Sequence, residues 1–224
     1  MQIDIKFKPS YSLAIINLSP NERIRADSGA MVSHSASVEV ETKAEGGLFK
    51  SLGRAVLGGE SFFQNFWVAG PQGGEVTLAP DLPGDIVEIN LDRSAFLVQS
   101  GSFLASENGI ELDSKLSLKG FKAGEGISML EARGSGKLLV SSYGALYEKT
   151  LAPGEKYIVD TSHLVAFEAS MEVQTRSVGG LKSTFLSGEG LVVELSGPGR
   201  LYIQSRSPQA LINWIIPQVP QKSN

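Results

Sequence analysis

The chain has 224 residues and a mass of 23.9 kDa, so one large domain and a few fused small units are both open. Hydrophobic residues at 42% and charged residues at 20% exclude a chiefly disordered chain, and a net charge of −4 gives no nucleic-acid surface. There is no cysteine, and His34 and His163 are the two histidines, which removes disulfides, thiolate metal sites and cysteine nucleophiles and leaves little for histidine chemistry. No metal or other cofactor is expected.

Glycine at 25 residues, with 10 prolines, points to many tight turns and short strands rather than long helices. The first segment, Met1 to Lys8, alternates apolar and polar residues as a strand does. It has neither the apolar core of a signal peptide nor the arginine-rich character of a transit peptide, so the expectation is a soluble, cytoplasmic protein. Residues 18–48 can be laid over 151–181 without a gap, and 13 of the 31 positions are identical, against about two by chance at this composition. A third copy falls between them, since Thr77-Leu78-Ala79-Pro80 returns as Thr150-Leu151-Ala152-Pro153. Gly124-Glu125-Gly126 likewise parallels Gly188-Glu189-Gly190. The chain therefore divides into three related units over about 10–76, 77–149 and 150–206, within one compact β domain spanning 1–206.

Each unit is predicted to be strands and turns. Val38 to Thr42, Ile86 to Leu91 and Met171 to Thr175 alternate with period two, while Leu138 to Val140, Leu191 to Leu195 and Leu201 to Ile203 are short and apolar. The glycine-rich pieces Gly58-Gly59, Gly70 to Gly74 and Gly134-Ser135-Gly136 read as hairpin turns, because none has the spacing that presents backbone amides to phosphate. Residues 48–57 are predicted to be a short helix outside the β core. Lys50 and Arg54 share one of its faces, and Phe62, Phe63, Phe66 and Trp67 follow closely. It is either a cap on the β core or a contact surface for membrane or partner, with Leu48, Phe49, Leu52, Arg54, Phe62, Phe63 and Trp67 as the candidate residues.

The last predicted element is a helix from Pro208 that stops before Pro217, with Ser207 as its N-cap. It lies in the longest stretch without a charge, Ser207 to Gln221, which is far below the roughly 20 residues that span a bilayer. Its residues Leu211, Ile212, Trp214 and Ile215 need a cover, on this domain, on another copy or on a partner, and self-association through the 207–224 tail is expected.

Several runs together resemble one known family. Gly29-Ala30-Met31-Val32, Gly58 to Phe63, Ala79-Pro80 with Pro83-Gly84, Gly144 through Phe167, Gly188 to Leu191 and Gly197 to Arg200 look like the mitochondrial biogenesis family, named for altered inheritance of mitochondria. The resemblance covers roughly residues 10–206. It implies a fold of the TRAP-like double-stranded β-helix type. It implies no catalytic residues, and the eukaryotic members it points to are mitochondrial and linked to inner-membrane organisation.

The candidate chemistry is sparse. Asp27, Asp92 and Asp160 are read as the same position in each unit, either a carboxylate cluster for a hard cation or three separate acceptors for turn amides. Glu60, Glu125 and Glu189 sit in Gly-Glu turns ahead of apolar strands, as strand starts or as acid–base groups if brought together. Asp160, Ser162 and His163 make a triad only on paper, because neighbours on a strand point to opposite faces. The sequence thus predicts an all-β fold of three TRAP-like units in a pseudo-threefold arrangement with one or two short helices. The expected function is non-enzymatic: an interaction or scaffold protein, forming homo-oligomers or meeting a protein partner or the membrane periphery, and not nucleic acid. The alternative is a small-molecule binding module with its pocket between units.

Overall fold

The computed structural model describes residues 1–41, 64–119, 126–177 and 191–219, and these form strands almost throughout. The first third of the chain supplies β1 (Gln2–Lys6), β2 (Leu13–Leu18), β3 (Arg23–Asp27), β4 (Met31–His34), β5 (Val38–Glu41), β6 (Gln64–Ala69) and β7 (Gly74–Leu78). The last third supplies β12 (Leu146–Leu151), β13 (Lys156–Asp160), β14 (Leu164–Glu168), β15 (Glu172–Ser177), β16 (Leu191–Ser196) and β17 (Gly199–Gln204). Period-two patterning decides these strands. In β2, Ala14, Ile16 and Leu18 point inward and are buried, while Asn17 between them is exposed.

The pairing scheme of the two outer thirds is the same. In the first, β7 lies between β2 and β4, and β6 lies between β3 and β5. In the last, β17 lies between β12 and β14, and β16 lies between β13 and β15. The middle third uses fewer, longer strands: β8 (Ile86–Gln99), β9 (Phe103–Glu107), β10 (Ile110–Lys119) and β11 (Gly126–Ser141). The first half of β8 pairs with the second half of β11, and their other halves pair in turn, so the two strands stay side by side on both sides of one register shift. The expectation of short strands fails here. Gly134-Ser135-Gly136, expected to be a hairpin turn, is instead a bulge inside β11 where the register shifts. Gly134 and Gly136 adopt φ of +130° and +139°, which only glycine takes readily, and Arg93 on β8 opposite donates its backbone N–H to Ser135 Oγ at 3.0 Å.

The thirds are welded by further strand pairing. β3 pairs with β9, and β8 pairs with β14, which merges the sheets into one order, β12-β17-β14-β8-β11-β9-β3-β6-β5, with β10 beside β11. Two smaller sheets remain, β1-β2-β7-β4 and β13-β16-β15. Their cores interlock as well. Leu104 and Leu139 of the middle third pack with Ile16, Ile24 and Trp67, while Tyr202 of the last third packs with Phe96 and Phe103. Met129 joins Leu164, Phe167 and Leu195 in the third cluster. Where the thirds meet, Gly84 and Gly144 form a lone bridge, and a Cβ at Gly84 would collide with the Ser142 carbonyl oxygen.

Among the described residues one α-helix, α1 (Pro208–Ile215), follows β17 and continues as a 3-10 turn over Ile216–Gln218. The helix starts where the sequence puts it, at Pro208, and its α-helical part ends at Ile215, one residue before the expected end. The expected helix over 48–57 lies outside the described residues.

Candidate functional site

The surface best suited to a contact is α1. Ser207 caps it, its Oγ accepting a hydrogen bond from the Ala210 N–H at 3.2 Å, and Pro208 takes the first turn, where no N–H is needed. Gln209 donates to Asn213 Oδ1 at 2.9 Å, so the polar side chains occupy one narrow strip. The remaining arc carries Ala210, Leu211, Ile212, Trp214 and Ile215, and Ile216 and Val219 prolong it. None of the helical residues is buried. Leu211 is half-buried, whereas Ile212, Ile215, Ile216 and Val219 are exposed and Trp214 is 69% exposed.

The root of the helix is fixed firmly. Ser205 and Arg206 donate backbone N–H groups to the carbonyls of Ala145 and Tyr143, and the Gln204 side chain bridges the Tyr143 N–H and the Ser162 carbonyl. Gly144 donates in turn to Pro83 O, and Ser12 to Gly84 O. These steps connect the helix root to the turn carrying Phe7 and Tyr11, two further exposed aromatic side chains. Phe7 holds φ at 59°, a conformation that bulky residues seldom adopt. Sequence reasoning missed this turn, because two aromatics flanking Lys8-Pro9-Ser10 carry no periodic signal.

The other candidates fall apart from one another. Leu48, Phe49, Leu52, Arg54, Glu60, Phe62, Phe63, Glu125 and Glu189 lie outside the described residues. Trp67, expected on a contact surface, is a core residue at 5% exposure, with the His34 ring 5.1 Å away. The reason is the place of β6 between β3 and β5. Trp67 faces the core on one side, and Phe66 on the other is covered by the Arg23 and Arg25 guanidinium groups.

Asp27 and Asp160 end β3 and β13, but Asp92 does not share their position. It sits within β8 beside the bulge, exposed, 3.7 Å from Arg93. Gln99 takes the corresponding strand end, since Met31, Phe103 and Leu164 follow Asp27, Gln99 and Asp160 at the same interval and each opens a register shift. Asp160 accepts hydrogen bonds from the Ser162 N–H and Oγ, both at 2.7 Å, at the start of a 3-10 turn. The serine hydroxyl thus meets the aspartate directly, while His163 Nδ1 turns to the Gln204 carbonyl at 2.8 Å. That is a turn, not a charge-relay geometry. Burial pushes the Asp27 carboxyl up to about 6, with Asp81 nearby adding to the rise and a backbone hydrogen bond from Ser28 opposing it. Among the described residues no three histidine or carboxylate side chains come together.

The fold and this surface define a class first: an all-β body with an apolar helix at its C-terminal end. The chain belongs to the family described as Mitochondrial biogenesis AIM24, whose model matches residues 3–206. It is 28% identical over 233 residues to an uncharacterised protein of Streptococcus pyogenes serotype M6, covering 100% of this chain and 93% of that one. It is also similar to a Streptococcus pyogenes protein solved by X-ray crystallography, with a TM-score of 0.82 and 26% identity over 97% of this chain and 99% of that chain. Among the described residues no helix is long and apolar enough to cross a membrane.

Proposed function

We propose that the protein is a non-enzymatic interaction and scaffold protein that docks on a lipid bilayer surface through α1. The observation that carries this is a capped helix with no buried residue and a wide arc of isoleucine and tryptophan in water. Each such side chain left exposed forgoes roughly 1.5–3 kcal/mol, so a cover for Ile212, Trp214, Ile215 and Ile216 is worth several kcal/mol. Tryptophan suits the boundary between headgroups and acyl chains. The helix carries no charge, and the uncharged stretch is bracketed by Arg206 and Lys222, cations suited to anionic headgroups. Eight helical residues extend about 12 Å, which fits a helix lying in the interface rather than crossing it. The reading keeps the cytoplasmic location expected from the sequence, with the protein peripheral to the bilayer.

The recurrent pairing scheme supports a chain of three fused TRAP-like units, bounded by the strands at 13–78, 86–141 and 146–204 and lifting α1 from the end of the last. The test uses the two tryptophans. In a Trp67→Phe background, Trp214 emission should shift to the blue on adding vesicles of phosphatidylcholine and phosphatidylglycerol, and the protein should sediment with them. The double variant W214S/I215S should lose both responses at unchanged melting temperature. Unshifted emission with the protein left in the supernatant sinks the proposal, and a multimer lost in the double variant without lipid binding would assign the helix to self-contact.

A further inference from the structure

A second surface, independent of α1, lies at two strand edges. The strand that ends at Asp27, β3, is joined along its free edge by β9 of the next third, with Ile24, Arg25 and Ala26 opposite Glu107, Ser106 and Ala105. The equivalent half of β8, ending at Gln99, is joined by β14, with Phe96, Leu97 and Val98 opposite Glu168, Phe167 and Ala166. The third strand of this set is β13, ending at Asp160, and its counterpart among the joining strands is β4. Among the described residues β13 pairs only with β16, and β4 pairs only with β7.

Both edges are therefore open where their counterparts are filled. The burial follows the pairing. Arg25, Ser106 and Phe167 at the two joints are buried, whereas Ile158, in the place of Arg25 and Leu97, is 57% exposed, and Met31, Val32 and His34 on β4 are exposed too. Other sheet edges, such as β5, β10 and β15, have no partner among the described residues in any third, and so lack none that a counterpart has. Nor does the bulge in β4 close its edge, because β9 and β14 carry the same register shift and still accept a strand.

We propose that the partner is a second copy of this chain: β13 of one copy pairs antiparallel with β4 of the next, joining copies head to tail. The two internal joints fix the register, placing Tyr157, Ile158 and Val159 opposite Ser35, His34 and Ser33 of the neighbouring copy. Since the two edges differ, the contact is heterologous and propagates from copy to copy into a ring or a filament. The exposed backbone edge supplies the hydrogen bonds, and Ile158 and Val32 supply the apolar cover. A chain of copies also multiplies α1 on one assembly, which strengthens a weak single-helix surface contact by avidity.

The absence of cysteine makes the test clean. Directly opposed residues of an antiparallel pair have Cα atoms about 4.5–5.5 Å apart, within disulfide reach. The double variant Ile158→Cys with His34→Cys should give, on mild oxidation, a ladder of covalent species at multiples of the chain mass, collapsed by reductant. Each single variant should give none beyond a dimer. In parallel, light scattering of the unmodified protein should show multimers that I158K, a change at an exposed position, returns to single chains. A double-cysteine protein that stays a single chain with free thiols overturns the proposal. So does a disulfide within one chain, because β13 and β4 of the same copy would then meet. A monomeric unmodified protein at high concentration overturns it as well.

Discussion

The joint between β8 and β14 and the helix α1 use the same kinds of residue in opposite ways. At the joint, Phe167 and Tyr202 are buried, Phe96 lies against the Tyr202 ring at 6.1 Å, and Arg200 closes over Phe96 while pairing with Glu168 at 2.8 Å. On α1, tryptophan and isoleucine stand exposed to water. Apolar residues that alternate along a strand are covered by folding itself, because the sheet always brings a second layer to one face. Those on α1 lie beyond the last strand, and among the described residues none of them is buried. The apolar surface of the body is thus a stability term, and that of the helix remains free for an encounter.

The largest effect should separate the two regions outright. Phe167→Ala removes a side chain with 0% exposure from the third core and the β8–β14 joint, and should destabilise the protein by about 3–5 kcal/mol. Trp214→Ala should change stability by no more than about 0.5 kcal/mol, as surface changes away from packed features do. Urea unfolding of both variants measures this. A Trp214→Ala loss as large as that of Phe167→Ala would mean that the helix is packed on the body after all.

How much of this contrast the sequence discloses depends on how local its cause is. Ser207 and Pro208 act within a turn of themselves, so the start of α1 is legible to the residue. Its end falls at Ile215, one short of the expected Ile216, and a 3-10 turn carries on through Pro217. Period-two patterning likewise discloses β5 and β15, and short apolar runs disclose β16 and β17. The fusion of strands into β8 and β11 is not legible, because their continuity depends on the strands beside them. The slip that equated Asp92 with Asp27 and Asp160 has the same origin: the middle third has no turn where the other two have one, so counting residues from Pro83-Gly84 arrives early. Trp67 reads as a surface aromatic for want of its neighbours, since its cover comes from a core cluster shared with residues as distant as Leu104 and Leu139. The open edges of β13 and β4 leave no trace in composition at all. Ile158 reads as an ordinary strand residue until the partners of Arg25 and Leu97 are seen.

A middling effect should come from a charge that the body buries. Glu194 on β16 is buried, yet Lys156 Nζ reaches it at 2.9 Å and Arg176 at 2.8 Å from the strands on either side. Both cations remain about half exposed, so removing the carboxylate lets them return to water rather than stranding them. Glu194→Ala should therefore destabilise by about 1–2 kcal/mol, less than the 3–5 kcal/mol typical when a buried charge loses its partner. High salt should reduce the difference between Glu194→Ala and the unmodified protein, because half-exposed pairs are screened. A loss unchanged by salt would show that Glu194 acts by packing alone.

The smallest effect concerns Asp27, the half-buried carboxylate at the end of β3. Burial first, and then the neighbouring Asp81, hold its carboxyl at about 6 against an ordinary value of 3.8. Between those two values the folded protein retains a proton that the unfolded chain has released, so stability must fall as pH rises from about 4 to 6. Below that window both states are protonated and the penalty disappears; above it the penalty is complete. Because solvent reaches part of the group, the penalty should be on the order of 1 kcal/mol, well under the full value of the shift. Asp27→Asn keeps the shape and cannot ionise, so its stability relative to the unmodified protein should grow across this window and stay constant above it. Asp81→Asn should show the same sign and a smaller size, since Asp81 contributes after burial. Urea midpoints at pH 4.5 and 7 decide the matter, and equal pH dependence in the unmodified protein and Asp27→Asn would show that the carboxylate is solvated well enough to ionise freely in the fold.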